Sequence, residues 1–143
     1  MSSLYFEFGQ VVTNNEIMEM FKCGNMGGMR RSRKTNSLII ISDYTKGLYD
    51  DKWYGDILHY TGMGKSGDQD IHFAQNKTLA QSNSNGIVVH LFEVLVKTKY
   101  IYRGIVSLSD APYQEIQNGE DGISRKVWMF PLKLDISRQT ISE

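Results

Sequence analysis

The apolar positions of this chain follow two periods. Near the start, Ile17, Met20 and Phe21 share one face at helical spacing. They follow Thr13-Asn14-Asn15-Glu16, where the Thr13 hydroxyl and the Glu16 carboxylate are spaced to satisfy free amides at a helix start. Gly24 and Gly27-Gly28 end the segment, so a short helix over residues 14–22 is predicted. Beyond it the period falls to two. Residues 37–42 are a β-branched run bounded by polar residues, as a buried strand requires, and residues 56–61 alternate, with Ile57 and His59 on one face and Leu58 and Tyr60 on the other. Residues 87–96 and 99–108 predict two longer strands, and 126–134 another, in which Pro131 points to an edge or a bulge. Phe73, Lys77 and Ala80-Gln81 fit a second short helix over 71–82, closed by Asn83-Ser84-Asn85-Gly86.

Five or so strands with two short helices predict an α+β domain built on a curled sheet or small barrel. No internal repeat or low-complexity linker breaks the 143 residues, so residues 1–134 are expected to form one domain. Residues 135–143 carry little apolar content and are expected to be a tail or a junction to a further domain.

Composition narrows the function classes. No run of about 18 apolar residues exists, so no membrane partner is expected. The N-terminus lacks the basic start and apolar stretch of a signal peptide, which gives a cytoplasmic location as the default. Cys23 is the sole cysteine, which excludes an internal disulfide and a multi-cysteine zinc site. Net charge is zero, from 16 cationic and 16 anionic side chains, so any nucleic-acid binding must come from a local patch. The one strong cationic run is Arg30-Arg31-Ser32-Arg33-Lys34, which on charge alone reads as a solvated loop.

Catalytic constellations are not found. His59, His72 and His90 have no metal-binding spacing, and Cys23 lacks a base partner. Asp50-Asp51-Lys52 contains half of a metal-dependent nuclease signature, and Asp43 is too close in sequence to complete it across a hairpin. Gly62 and Gly64 lack the lysine and helix of a P-loop. No cofactor and no metal are expected.

The stretch from Asp50 to Gln69 places carboxylates, aromatics and a glycine-rich turn close together, the groups that grip a flat polar ring. Each also has a structural alternative: Asp51 as cap of the turn at Gly55, Tyr60 as a core aromatic, Asp68-Gln69 as turn organisers.

Asp50-Asp51, Gly55-Asp56-Ile57, Tyr60-Thr61-Gly62-Met63-Gly64, Asp68-Gln69 and Asn76-Lys77-Thr78-Leu79 together resemble the core of SRA (SET- and RING-associated, or YDG) domains, above all those of bacterial modification-dependent restriction endonucleases. The likeness extends over about residues 8–134, with Tyr102-Arg103-Gly104-Ile105 resembling a later family motif. It implies a PUA-like curled sheet that binds double-stranded DNA and flips a modified cytosine, 5-methyl- or 5-hydroxymethylcytosine, into a pocket. By the resemblance, Asp51 accepts from the exocyclic amine, Tyr60 stacks on the base, and the backbone of Thr61-Gly62 meets its polar edge. Leu48 stands where relatives have a second stacking tyrosine, so Tyr49 or Tyr44 is expected to replace it. Arg30, Arg31, Arg33, Lys34, Lys65, Ser66 and Lys77 are then expected on the DNA backbone, with a nuclease fused or associated outside this chain and a homodimer allowed. Only Lys65-Ser66-Gly67 separates Gly64 from Asp68, so the long loop that many relatives insert into the duplex is missing there. The alternatives are a metal-dependent nuclease on Asp43, Asp50 and Lys52, or a reader of another modified base, a sulfur-modified backbone or RNA.

Overall fold

In a computed structural model, residues 5–47 and 49–135 are described. Residues 135–143 were expected to form a tail; all but Asp135 lie outside that range, as does Leu48. Among the described residues no helix is long and apolar enough to cross a membrane.

The elements run β1 (Val11–Val12), α1 (Asn14–Phe21), β2 (Met29–Ser32), β3 (Ser37–Asp43), β4 (Lys52–Tyr54), β5 (Ile57–Thr61), α2 (Gln75–Ala80), β6 (Val88–Val96), β7 (Lys99–Leu108), β8 (Tyr113–Asn118) and β9 (Ser124–Leu134). They build a mixed sheet in the order β2-β3-β6-β7-β9-β5-β4, with β1 added to β7 and β8 to β9. Among the described residues only the β3–β6 pair is parallel; the others are antiparallel.

Helix α1 starts as its sequence dictates. The Thr13 hydroxyl accepts from the Glu16 amide at 3.1 Å, and the Glu16 carboxylate accepts from the Thr13 amide at 2.8 Å. Ile17 and Phe21 face inward and Lys22 ends the helix at φ 55°. Helix α2 is shorter than its spacing predicts, because a turn fills residues 70–74 and only Gln75–Ala80 are helical.

Three strands had no clear apolar signature. β4 is three residues long, too short to show a period, β8 is largely polar, and β2 carries the first two cations of the run between the buried Met29 and Ser32. Pro131 also differs from expectation. β9 is interior, with β5 on one side and β7 on the other. The missing donor is tolerated because Pro131 faces Ser109, one residue past the end of β7, and its carbonyl accepts the Ser109 amide at 2.9 Å.

The sheet's two faces bury separate cores. One gathers Leu38, Ile40, Leu58, Tyr60, Leu91, Phe130 and Leu132; the other packs Ile17 and Phe21 of α1 against Ile39, Phe92 and Tyr102. His90 belongs beside the second core: it is fully buried, with Nδ1 2.8 Å from the Tyr102 hydroxyl. The first core is the inside of the curl. There β5, near one end of the strand order, meets β2 and β3 at the other: the Tyr60 hydroxyl lies 2.9 Å from the Gly28 carbonyl oxygen and 3.1 Å from that of Ile41. That seam positions the site.

Candidate functional site

A cavity of about 320 Å³ opens at the seam. One side is Gly27-Gly28, leading into β2; the opposite side is the loop from Tyr60 to Lys65; Tyr49 and Phe73 complete the wall. Tyr60 is 4% exposed, and burial pushes its hydroxyl well above the usual phenol range, so it stays a neutral donor shared by the two carbonyls of the seam. A side chain at Gly28 would put its Cβ 2.9 Å from that hydroxyl, which is why glycine stands there.

Asp51 sits one peptide behind this wall. Its Oδ1 accepts the Thr61 amide at 2.7 Å and its Oδ2 accepts the Ser42 hydroxyl at 2.7 Å. Both are partners across the seam, not the turn at Gly55. Burial pushes the Asp51 carboxyl up to about 6, offset in part by those two hydrogen bonds and reinforced by the neighbouring Asp50 charge. A carboxylate offers roughly four acceptor positions, so acceptor capacity remains for another donor.

The glycine turn is held from behind by two buried amides. Gln69 donates from Nε2 to the Gly62 carbonyl at 2.7 Å and the Gly64 carbonyl at 3.1 Å, while its Oε1 accepts the Trp128 amide at 2.9 Å. Asn76 accepts the Met63 amide at 2.7 Å and donates to the Met63 and Asp70 carbonyls at 3.1 Å each. Asp68 accepts the Lys126 amide at 2.8 Å. The Asp-Gln pair and Asn76 therefore act as turn organisers. Gly62 has no room for a side chain: a Cβ would fall 2.8 Å from Asn76 Oδ1 and 3.0 Å from Phe130.

Of the two candidate aromatics, Tyr49 lines the cavity and its hydroxyl reaches the Gly64 carbonyl at 3.4 Å. Tyr44 does not line it. Its hydroxyl donates to Glu93 Oε2 at 2.8 Å, beside the Trp53 indole donor at 2.8 Å, and Arg103 Nε donates to Glu93 Oε1 at 2.7 Å. This buried Glu93 cluster anchors both ends of the segment that carries Tyr49, Asp50 and Asp51. Sequence reasoning missed Glu93, although a carboxylate between Phe92 and Val94 in an apolar strand needs partners. It also missed Arg125, buried behind the turn, whose Nη1 donates to the Gly64 and Gly67 carbonyls.

The cationic run is corrected most. Arg30 is 6% exposed, with Nε donating to the Gly27 carbonyl at 2.9 Å and Nη1 to Asn14 Oδ1 at 2.6 Å. It braces the glycine wall and presents nothing to a phosphate. Arg31 is turned onto the Ser32 and Ser37 carbonyls and Asn36. Arg33 and Lys34 are exposed, in the turn at the far end of β2 from Gly28, with Arg33 about 16 Å along the strand at ~3.3 Å per residue. Lys65 stands at the cavity wall, Ser66 is exposed beside it, and Lys77 is exposed on α2. For the nuclease alternative, the described residues bring no three His, Cys, Asp or Glu side chains together, and Asp43 is engaged by the Thr45 amide and hydroxyl.

The family model of the ScoMcrA-like SRA domain matches residues 8–140. The chain belongs to this family. No curated protein matches it in sequence. Among solved structures, this SRA domain is similar to the sulfur-binding and SRA domains of ScoMcrA complexed with phosphorothioated DNA, at 20% identity and TM-score 0.72 over 89% of this chain and 39% of that one. The type IV phosphorothioation-dependent restriction endonuclease ScoMcrA gives 18% identity and TM-score 0.72, over 89% of this chain and 27% of that one. The SUVH5 SRA domain in complex with fully methylated CG DNA gives 20% identity and TM-score 0.69, over 100% of this chain and 99% of that one. The SRA domain thus spans well under half the length of the ScoMcrA chains it matches. At these identities the likeness establishes the open curled mixed sheet with two short helices.

Proposed function

We propose that this SRA domain reads modified cytosine in double-stranded DNA by drawing the base into the seam cavity. The observation that carries the proposal is the convergence of Tyr60, Tyr49 and Thr61-Gly62 on one cavity of about 320 Å³, with Asp51 outside its lining and bound to the Thr61 amide. A single flipped base needs ring faces to stack on and donors and acceptors along its edge. Tyr60 and Tyr49 supply the rings, and the backbone of Thr61-Gly62 supplies the edge. Asp51 accepts from the exocyclic amine with the acceptor capacity its two hydrogen bonds leave free. Stacking is worth about 1–3 kcal/mol per base, comparable to the few kcal/mol that extraction costs. Lys65, Ser66 and Lys77 meet the DNA backbone. Two further parts of the reading are a nuclease outside this chain, in a modification-dependent restriction system, and pairing with a second copy.

The test places 2-aminopurine beside a 5-methylcytosine in a duplex. Extraction unstacks the probe, so its emission rises on binding by the wild-type protein and stays low with Tyr60→Ala. Binding with no change in emission would contradict extraction. Duplexes carrying 5-hydroxymethylcytosine or a phosphorothioate backbone, run beside it, show which modification is preferred.

A further inference from the structure

Phe73 is 54% exposed and still lines the seam cavity. It belongs to neither core cluster. Its backbone is held in an unusual way. The Phe73 amide donates to the Asp70 carbonyl at 3.0 Å, and the Phe73 carbonyl accepts the Asn76 amide at 3.0 Å. Between them Ala74 adopts φ 48° and ψ −126°. That is the first central position of a type II′ turn, where glycine is the usual residue and a Cβ is disfavoured. The buried Asn76 amide, bound to Met63, then ties this turn to the glycine turn of Gly62 to Gly64. The backbone that carries the phenyl ring is therefore fixed at the mouth, where the ring lines the cavity while more than half of it is exposed. Nothing in either core accounts for its position.

Given the base-reading assignment of the cavity, on which this inference rests, the geometry points to Phe73 as a third binding residue for the extracted nucleotide. Its ring packs against the mouth-side edge of the nucleotide held between Tyr49 and Tyr60, and closes the neck to water. An apolar ring loses its exposed area only when a ligand occupies the mouth, so its contribution appears on binding and not on folding.

Fluorescence anisotropy of wild type, Phe73→Ala and Phe73→Trp tests this on a 5-methylcytosine duplex, the unmodified duplex and a single-stranded oligonucleotide with the same modified base. Phe73→Ala is expected to bind the modified duplex and the modified single strand about tenfold more weakly, within the range of an aromatic–base contact. Its thermal midpoint should be unchanged, and Phe73→Trp should restore the affinity. Unchanged affinity in Phe73→Ala overturns the inference. A loss confined to the duplex also overturns it, since it would assign the ring to the gap left in the helix. Wild type that binds modified and unmodified duplex equally overturns the base-reading assignment itself, and this inference with it.

Discussion

Asp51 is the residue on which recognition and stability meet. Its carboxyl, ordinarily at 3.8, is raised to about 6 chiefly by burial. A raised acid binds its proton more tightly folded than unfolded, so its contribution is fully present below pH ~4 and is lost as pH rises through about 6. Asp51→Asn should flatten that part of the stability profile, checked by urea denaturation between pH 4 and 7. Binding runs the other way. The ionised form accepts from an amine, so affinity for the modified duplex should fall as pH drops below about 6 in wild type and not in Asp51→Asn. Ala74 makes a second prediction at this scale. Relieving its positive φ with Ala74→Gly should raise stability by up to about 1–2 kcal/mol, read from the denaturation midpoint. An unchanged or lowered midpoint would show that the turn is not strained.

At the scale of elements, the seam and the glycine turn decide whether the cavity exists. Gly62→Ala forces a Cβ onto Asn76, Gln69 and Phe130, and should cost about 1–3 kcal/mol, measured by chemical denaturation. Tyr60→Phe removes the hydroxyl donor that β5 offers to Gly28 and Ile41; the Gly28 carbonyl keeps the Ile41 amide at 2.7 Å, so the cost should be about 0.5–1.5 kcal/mol in the same assay. The elements themselves were unequally legible. α1 showed in its capping box, and β3, β5, β6, β7 and β9 in apolar runs or alternation, because burial writes itself into the sequence as period. β2, β4 and β8 left no such trace. They are short or polar segments stabilised by the strands beside them, and β2 hides behind four cations, two of which are engaged internally. Pro131 misled for a related reason, since strand ends in neighbours are invisible in the strand itself.

For the whole molecule, neutrality and the placement of charge bear on how DNA is approached. The family motif places Asp51, Tyr60, Thr61 and Gly62 within twelve residues, and in the fold Tyr60, Thr61 and Gly62 share one cavity wall with Asp51 bound to the Thr61 amide. What escaped was everything supplied from across the sheet: Ser42, Glu93, Arg125, and the fate of Arg30. A local sequence window carries no record of those long-range contacts. With Arg33 and Lys34 far from the cavity, Arg33→Ala with Lys34→Ala should leave affinity for modified duplex within about twofold. Lys65→Ala should weaken modified and unmodified binding alike and reduce the salt slope by about 1. A large loss from the first pair would place DNA on the other end of the sheet.

On the proposed reading, this cavity distinguishes a modified cytosine in duplex DNA. Its most direct test is an equilibrium titration of one duplex, with and without 5-methylcytosine, against wild type and Asp51→Ala at a single stated salt concentration. Wild type should bind the modified duplex more tightly, and Asp51→Ala should lose about tenfold or more on that duplex, as for a lost hydrogen bond to a charged acceptor, until only the backbone binding common to both duplexes remains and the difference shrinks. Equal wild-type affinity for the two duplexes would contradict it.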